Sequence, residues 1–134
     1  LKADPSLVTS AVEEMLRFDS SVQMTGRAAF EDVEISGVTI PKGEQVLTLL
    51  GAANRDPEQY VDPEDFRVDR QNVQPTSFGG GIHHCLGAPL ARLEGEIALS
   101  TLIKRLPNVR LANDELDWRK TFTLRGLSAL PVVW

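Results

Sequence analysis

Cysteine occurs once in these 134 residues. No intramolecular disulfide can form, so the fold rests on packing and polar contacts, and a reducing cytoplasm is the expected compartment. Histidine occurs only twice, as His83 and His84, directly before that cysteine. A closed zinc site needs about four nitrogen, sulfur or oxygen donors, or three plus water. Three donors at consecutive positions span too little chain to wrap a tetrahedral ion. Long hydrophobic runs are also missing. The most apolar stretch, Val46 to Ala53, is far shorter than the about 20 residues a membrane-spanning helix requires. No charged-then-apolar segment opens the chain. Nor is there an excess of positive charge. The formal net charge is −5, which argues against nucleic acid and anionic membrane surfaces as partners.

The remaining composition is that of a globular protein, with 42% hydrophobic and 25% charged residues. The length allows at most one domain, residues 1–134. A chain of this size buries roughly two-thirds of its unfolded surface when compact. It starts at Leu1 rather than Met, so a fragment or a processed product is the expectation.

The single cysteine lies in Phe78-Gly79-Gly80-Gly81-Ile82-His83-His84-Cys85-Leu86-Gly87. Leu86, Leu90, Leu93 and Ile97 follow at spacings of an amphipathic helix. Pro89 falls in the first turn of that helix, where a missing N–H costs nothing. Free amides and the positive helix end are therefore expected to face the sulfur and to favour its thiolate form. Gly79, Gly80 and Gly81 allow positive φ and close backbone approach to a flat ligand. Gly87 keeps a side chain away from the sulfur. The same pattern is compatible with a buried structural cysteine beside a glycine-rich turn.

Elsewhere the pattern predicts a helix over about Pro5 to Phe18, N-capped by Asp4 or Ser6, with an apolar stripe of Leu7, Val8, Ala11, Val12, Met15 and Leu16. Glu14 and Arg17, three apart, share one face of it. Short strands are expected from Val22 to Leu49, with turns at Ser36-Gly37 and Pro41-Lys42-Gly43. A helical turn near Gly51 to Asn54 precedes irregular chain to Ser77, punctuated by Asp56-Pro57, Asp62-Pro63 and Pro75. Such a length without regular structure marks a functional or partner-packed loop. The helix after the cysteine is expected to run to about Arg105, before Pro107. Thr121 to Leu124 and Leu130 to Trp134 alternate as strands do.

Phe78, Gly81, His83, Cys85 and Gly87 match the Phe-x-x-Gly-x-His-x-Cys-x-Gly pattern of the cytochrome P450 family of heme-thiolate monooxygenases, which this chain resembles. Ala91-Arg92-Leu93-Glu94 and Glu14-Met15-Leu16-Arg17 are similar to the family too. The resemblance implies an α+β fold: the C-terminal part of the mainly helical P450 fold, with the Glu-x-x-Arg helix, small sheets, a meander, the cysteine loop and a long helix after it. It implies heme b as cofactor, with Cys85 the axial iron ligand, Phe78 packed beside the sulfur, and His83 and Arg27 bonding the propionates. A guanidinium suits that task because it grips a carboxylate with two hydrogen bonds. It further implies that Glu14 and Arg17 join Arg70 in a buried network, and that Gln23, Met24 and Leu127 contact substrate. Arg92, Lys104 and Arg105 are candidates for docking an acidic redox partner, or else a solvated helix edge.

The resemblance extends over nearly the whole chain but only the last third of a typical member. Nothing in it matches the distal helix with its acid-alcohol pair, so no catalytic residue in the strict sense is assigned. The implied activity is a monooxygenase that oxidises an apolar small molecule with dioxygen and electrons from a ferredoxin or flavin reductase. The alternative is a truncated, non-catalytic heme-binding or vestigial fragment. On either view the isolated chain is expected to be unstable or poorly active, with apolar faces exposed.

Overall fold

A computed structural model describes all 134 residues. Asp4 opens the first helical segment: its carboxylate accepts from the Ser6 amide at 3.0 Å and caps a 3-10 turn, Pro5–Leu7. Helix α1 follows, Val8–Phe18. The expected single helix is thus a 3-10 turn leading into an α-helix. Its buried face is Ala11, Val12, Glu14 and Arg17. Met15, placed on the apolar stripe, is 38% exposed. The burial of a charged pair beside Ala11 and Val12 is explained by its hydrogen bonds, described below.

Four strands then form two hairpins, one nested within the other in sequence. The strands β1 (Thr25–Ala28) and β4 (Gln45–Thr48) pair antiparallel, with Arg27 opposite Val46. Between them, β2 (Val33–Ile35) and β3 (Val38–Ile40) pair through a two-residue turn. Both turn residues, Ser36 and Gly37, have positive φ (51° and 78°), the twist that two-residue hairpins favour. Helix α2 is one turn, Leu50–Ala53.

Residues 55–75 contain no helix or strand. The meander is held instead by side chains bonding to its backbone. Arg55 donates to the Phe18 carbonyl at 2.7 Å and stacks over the Phe18 ring, and Tyr60 Oη donates to the Gln74 carbonyl at 2.9 Å.

After the cysteine loop, helix α3 runs Ala88–Arg105, starting two residues later than expected. It packs on α1 around Ala11, Val12 and the fully buried Ala88. Gly95 makes this approach possible: a Cβ there would lie 3.3 Å from Val12 Cγ1. The stripe of Leu90, Leu93 and Ile97, and Leu86 just before the helix, does not make this contact. Those residues are 59%, 53%, 58% and 98% exposed, so the helix carries apolar surface on more than one side, contrary to the simple amphipathic expectation.

In the tail, β5 (Arg110–Leu111), unanticipated, pairs with β6 (Val132–Val133). Leu124 and Leu127 form only isolated bridges, to Val22 and Trp118. No helix is long and apolar enough to cross a membrane.

Candidate heme-thiolate site

The cysteine loop is built from short turns rather than from a helix end alone. A 3-10 turn, Thr76–Phe78, delivers Phe78, and a second, Gly81–His83, precedes His84 and Cys85. The loop closes on itself where the Cys85 amide donates to the Phe78 carbonyl at 2.9 Å. The Cys85 carbonyl in turn accepts from the Ala88 amide at 3.2 Å, linking the cysteine to the first turn of α3. Gly79 sits at φ 70°, ψ −160°, a region open essentially to glycine alone, and Gly81 at φ 58°. Gly80 at φ −155° is ordinary extended backbone. A Cβ on Gly87 would lie 3.8 Å from Cys85 Sγ, an ordinary contact, so Gly87 adjoins the sulfur without being demanded by space.

Cys85 is free and exposed. It borders a cavity of about 440 Å³ together with Arg27, Phe78, Gly79 and His83. Leu16, Val22, Leu50 and Ala91 supply apolar wall. Arg27 bonds only the Gly26 carbonyl, at 2.7 Å, and has no acidic partner. His83 is exposed, while His84 approaches the Gly79 carbonyl at 3.3 Å. No cluster of three metal-ligating side chains exists. A metal held at Cys85 must therefore arrive with its own ligands. A porphyrin does so, and its apolar ring and acidic edge fit an apolar wall with an uncommitted arginine.

Outside the cavity lining is a buried brace. Arg17 and Glu14 are both fully buried and paired bidentately, at 2.7 and 2.8 Å. Arg70 Nε stands 3.3 Å from each Glu14 oxygen, and the Arg67 amide donates at 2.8 Å. Arg17 also donates to the carbonyls of Asn54, Pro63 and Asp65. Arg70 donates to those of Val61, Asp62 and Asp65. Every buried side-chain polar atom has a partner, the condition under which buried charge is tolerated. Burial raises the Glu14 carboxyl. Hydrogen bonds from Arg17, the Arg67 amide and Arg70 outweigh it and hold the group below its ordinary value.

Gln23 and Met24 are not at the Cys85 cavity. They border a separate one with Trp118 and Phe122, and the Gln23 amide group folds back onto the Ser20 carbonyl. Leu127 lines neither cavity. Arg92 does not reach outward as a free docking charge: it pairs with Glu13 and lies over the Phe78 ring. Sequence reasoning missed Asn54, Thr76 and Ser77. Asn54 is fully buried and bonded to both others. Only the placement of a polar residue just past an apolar helical turn hinted at it.

The family model for cytochrome P450 matches residues 4–121. The chain belongs to the cytochrome P450 family. Members of this family are heme-thiolate oxidoreductases that bind heme b. The biotin biosynthesis cytochrome P450 of Bacillus subtilis is 50% identical over 134 residues, all of this chain and 34% of that protein. The 6-deoxyerythronolide B hydroxylase of Saccharopolyspora erythraea is 49% identical over 98% of this chain and 33% of its own length. The crystal structure of P450BioI in complex with hexadec-9Z-enoic acid ligated acyl carrier protein superposes with TM-score 0.97 at 51% identity, covering all of this chain and 35% of that one. The α+β architecture is thus that of part of the P450 fold. The chain spans about a third of the length of the curated relatives it matches.

Proposed function

We propose that residues 1–134 form the thiolate side of the heme site of a P450 monooxygenase, one portion of a larger catalytic domain. The observation that carries this reading is the shared cavity: the lone cysteine, an unpaired arginine, a histidine and apolar wall converge on one space. Cys85 would hold the heme iron through its thiolate, which donates electron density to the metal. Heme, when bound, supplies the iron that activates dioxygen. Arg27 and His83 hold the propionates, and Phe78 and Gly79 adjoin the sulfur.

Glu14, Arg17 and Arg70 keep the meander fixed under the loop. By likeness to the family we assign Gln23, Met24 and Leu127 to substrate contact, although none of them lines the Cys85 cavity. The substrate is an apolar organic molecule and the electrons come from a ferredoxin or flavin reductase. The fatty acid on a carrier protein in the P450BioI complex supports an apolar substrate class.

Turnover tests the reading. The heme-loaded holoprotein containing these residues, given a reductase, ferredoxin and a long-chain fatty acid under isotope-labelled dioxygen, should place one labelled oxygen in the product. Unlabelled or absent product from a properly heme-loaded sample, over a panel of apolar substrates, would favour the non-catalytic heme-binding alternative.

A further inference from the structure

Asn54 is a fully buried amide at the end of α2. A side-chain amide offers two donor hydrogens and an acceptor oxygen with two lone pairs, and here all four are used. Oδ1 accepts from the Thr76 amide at 2.7 Å and shares with the Leu50 carbonyl the single hydrogen of the Thr76 hydroxyl, which stands 3.0 Å from Oδ1 and 3.1 Å from that carbonyl. Nδ2 donates to Ser77 Oγ at 2.9 Å and, more weakly, to the Leu16 carbonyl at 3.5 Å. Ser77 Oγ donates in turn to that same Leu16 carbonyl at 2.6 Å. The Asn54 backbone carbonyl accepts from Arg17 at 3.0 Å. One residue therefore ties the end of α1, the buried brace and the 3-10 turn of Thr76–Phe78 together.

That turn launches the cysteine loop. Phe78 follows Ser77 directly, and its carbonyl holds the Cys85 amide. Gly79 bonds back to the Thr76 carbonyl at 2.7 Å. A shift of Thr76 and Ser77 moves both anchors of the loop, while α1 and α3 keep their own contacts through Val12 and Gly95.

We propose that Asn54 is a positioning residue for the thiolate: by fixing Thr76 and Ser77 against the brace it sets where Cys85 Sγ stands relative to heme iron. The proposal rests on the heme-thiolate reading of Cys85. Asn54→Asp is the sharpest substitution, because it keeps shape and the acceptor to Thr76. Its second oxygen cannot donate, so Ser77 Oγ and the Leu16 carbonyl face an acceptor. Ser77→Ala removes the same link from the other side without adding charge.

The test uses the reduced, carbon-monoxide-bound holoprotein that contains these residues. The readouts are the red-shifted Soret band of the thiolate complex, its rate of loss at fixed temperature, and the iron–sulfur stretch by resonance Raman. Asn54→Asp and Ser77→Ala should each speed loss of the band about tenfold, as expected for a buried hydrogen bond broken with one partner left unpaired. The stretch should shift, and the double substitution should fall well short of additivity. Val12→Ala, in the α1–α3 contact, should lower thermal stability with no shift of the stretch and parent-like band loss. Two results would overturn the proposal: parent-like band loss and stretch in Ser77→Ala, or the same changes in Val12→Ala as in Asn54→Asp. A parent holoprotein without the red-shifted band would instead overturn the thiolate reading, and the proposal with it.

Discussion

The guanidinium of Arg92 lies over the face of Phe78, 4.9 Å from the ring centroid, and holds Glu13 of the opposite helix at 3.2 Å through its second nitrogen. One side chain thus links α1, α3 and the aromatic residue that opens the cysteine loop. Glu13 raises the basicity of the guanidinium through their hydrogen bond, so its charge stays in place over the ring. Arg92→Ala should cost about 1 kcal/mol, the sum of a partly exposed ion pair and a cation–π contact. Arg92→Lys should recover part of it. Denaturant unfolding of both variants beside Glu13→Gln checks this. An Arg92→Ala variant as stable as the parent would show that the stack contributes nothing.

Glu14 makes stability depend on pH in the acid range. Its folded-state carboxyl is held below the ordinary 4.5. Above 4.5 the group is ionised in both folded and unfolded chains, and its contribution is fully present. As pH falls below 4.5 the unfolded chain takes up the proton first, so stability is lost progressively down through the folded-state value. Glu14→Gln should flatten that acid limb. It should also destabilise by about 3–5 kcal/mol at neutral pH, because Arg17 and Arg70 remain buried without their acid. Urea midpoints across pH 3 to 7 measure both. An unchanged acid limb in the variant would assign the dependence to other carboxylates.

The glycines of the loop are not equivalent. Gly79→Ala places a side chain at φ 70°, ψ −160° and should cost about 1–3 kcal/mol. Gly80→Ala meets no atom within 4 Å at an ordinary extended φ and should be nearly neutral in the heme-free protein. Thermal unfolding of the pair decides. Equal losses at both positions would contradict the assignment of the cost to the backbone conformation of Gly79.

Much of this was legible in the sequence, and the reasons differ by residue. The cysteine loop was readable because Cys85, His83 and three consecutive glycines are rare in combination. The helix of α1 was readable because its period is regular, and Ala11 and Val12 of its stripe are buried, but periodicity alone placed Met15 inside, and only the family resemblance placed Glu14 and Arg17 there. Periodicity ranks Met15 above Glu14, whereas the hydrogen bonds from Arg17, Arg67 and Arg70 reverse that order. Asn54 was invisible for the same reason. A buried polar residue is recognised by its partners, and Thr76, Ser77 and Leu16 lie 22 or more positions away. The small strand β5 was missed because two residues carry no period.

The cysteine loop and α3 carry exposed apolar side chains. Ile82 and Leu86 are 97% and 98% exposed, and Leu90, Leu93 and Ile97 each more than half. Only Ala11, Val12 and Ala88 form buried hydrophobic core. The isolated 134-residue chain should therefore self-associate and bind an apolar fluorophore strongly. Light scattering and dye titration check this. A monodisperse monomer with weak dye binding would contradict it.

The most direct test of the account is the carbon monoxide difference spectrum of the reduced, heme-loaded holoprotein, recorded beside Cys85→Ser. A red-shifted Soret band in the parent alone is the expected result, and it would establish Cys85 as the thiolate ligand. The same band in Cys85→Ser, or no such band in a parent that has taken up heme, would contradict it.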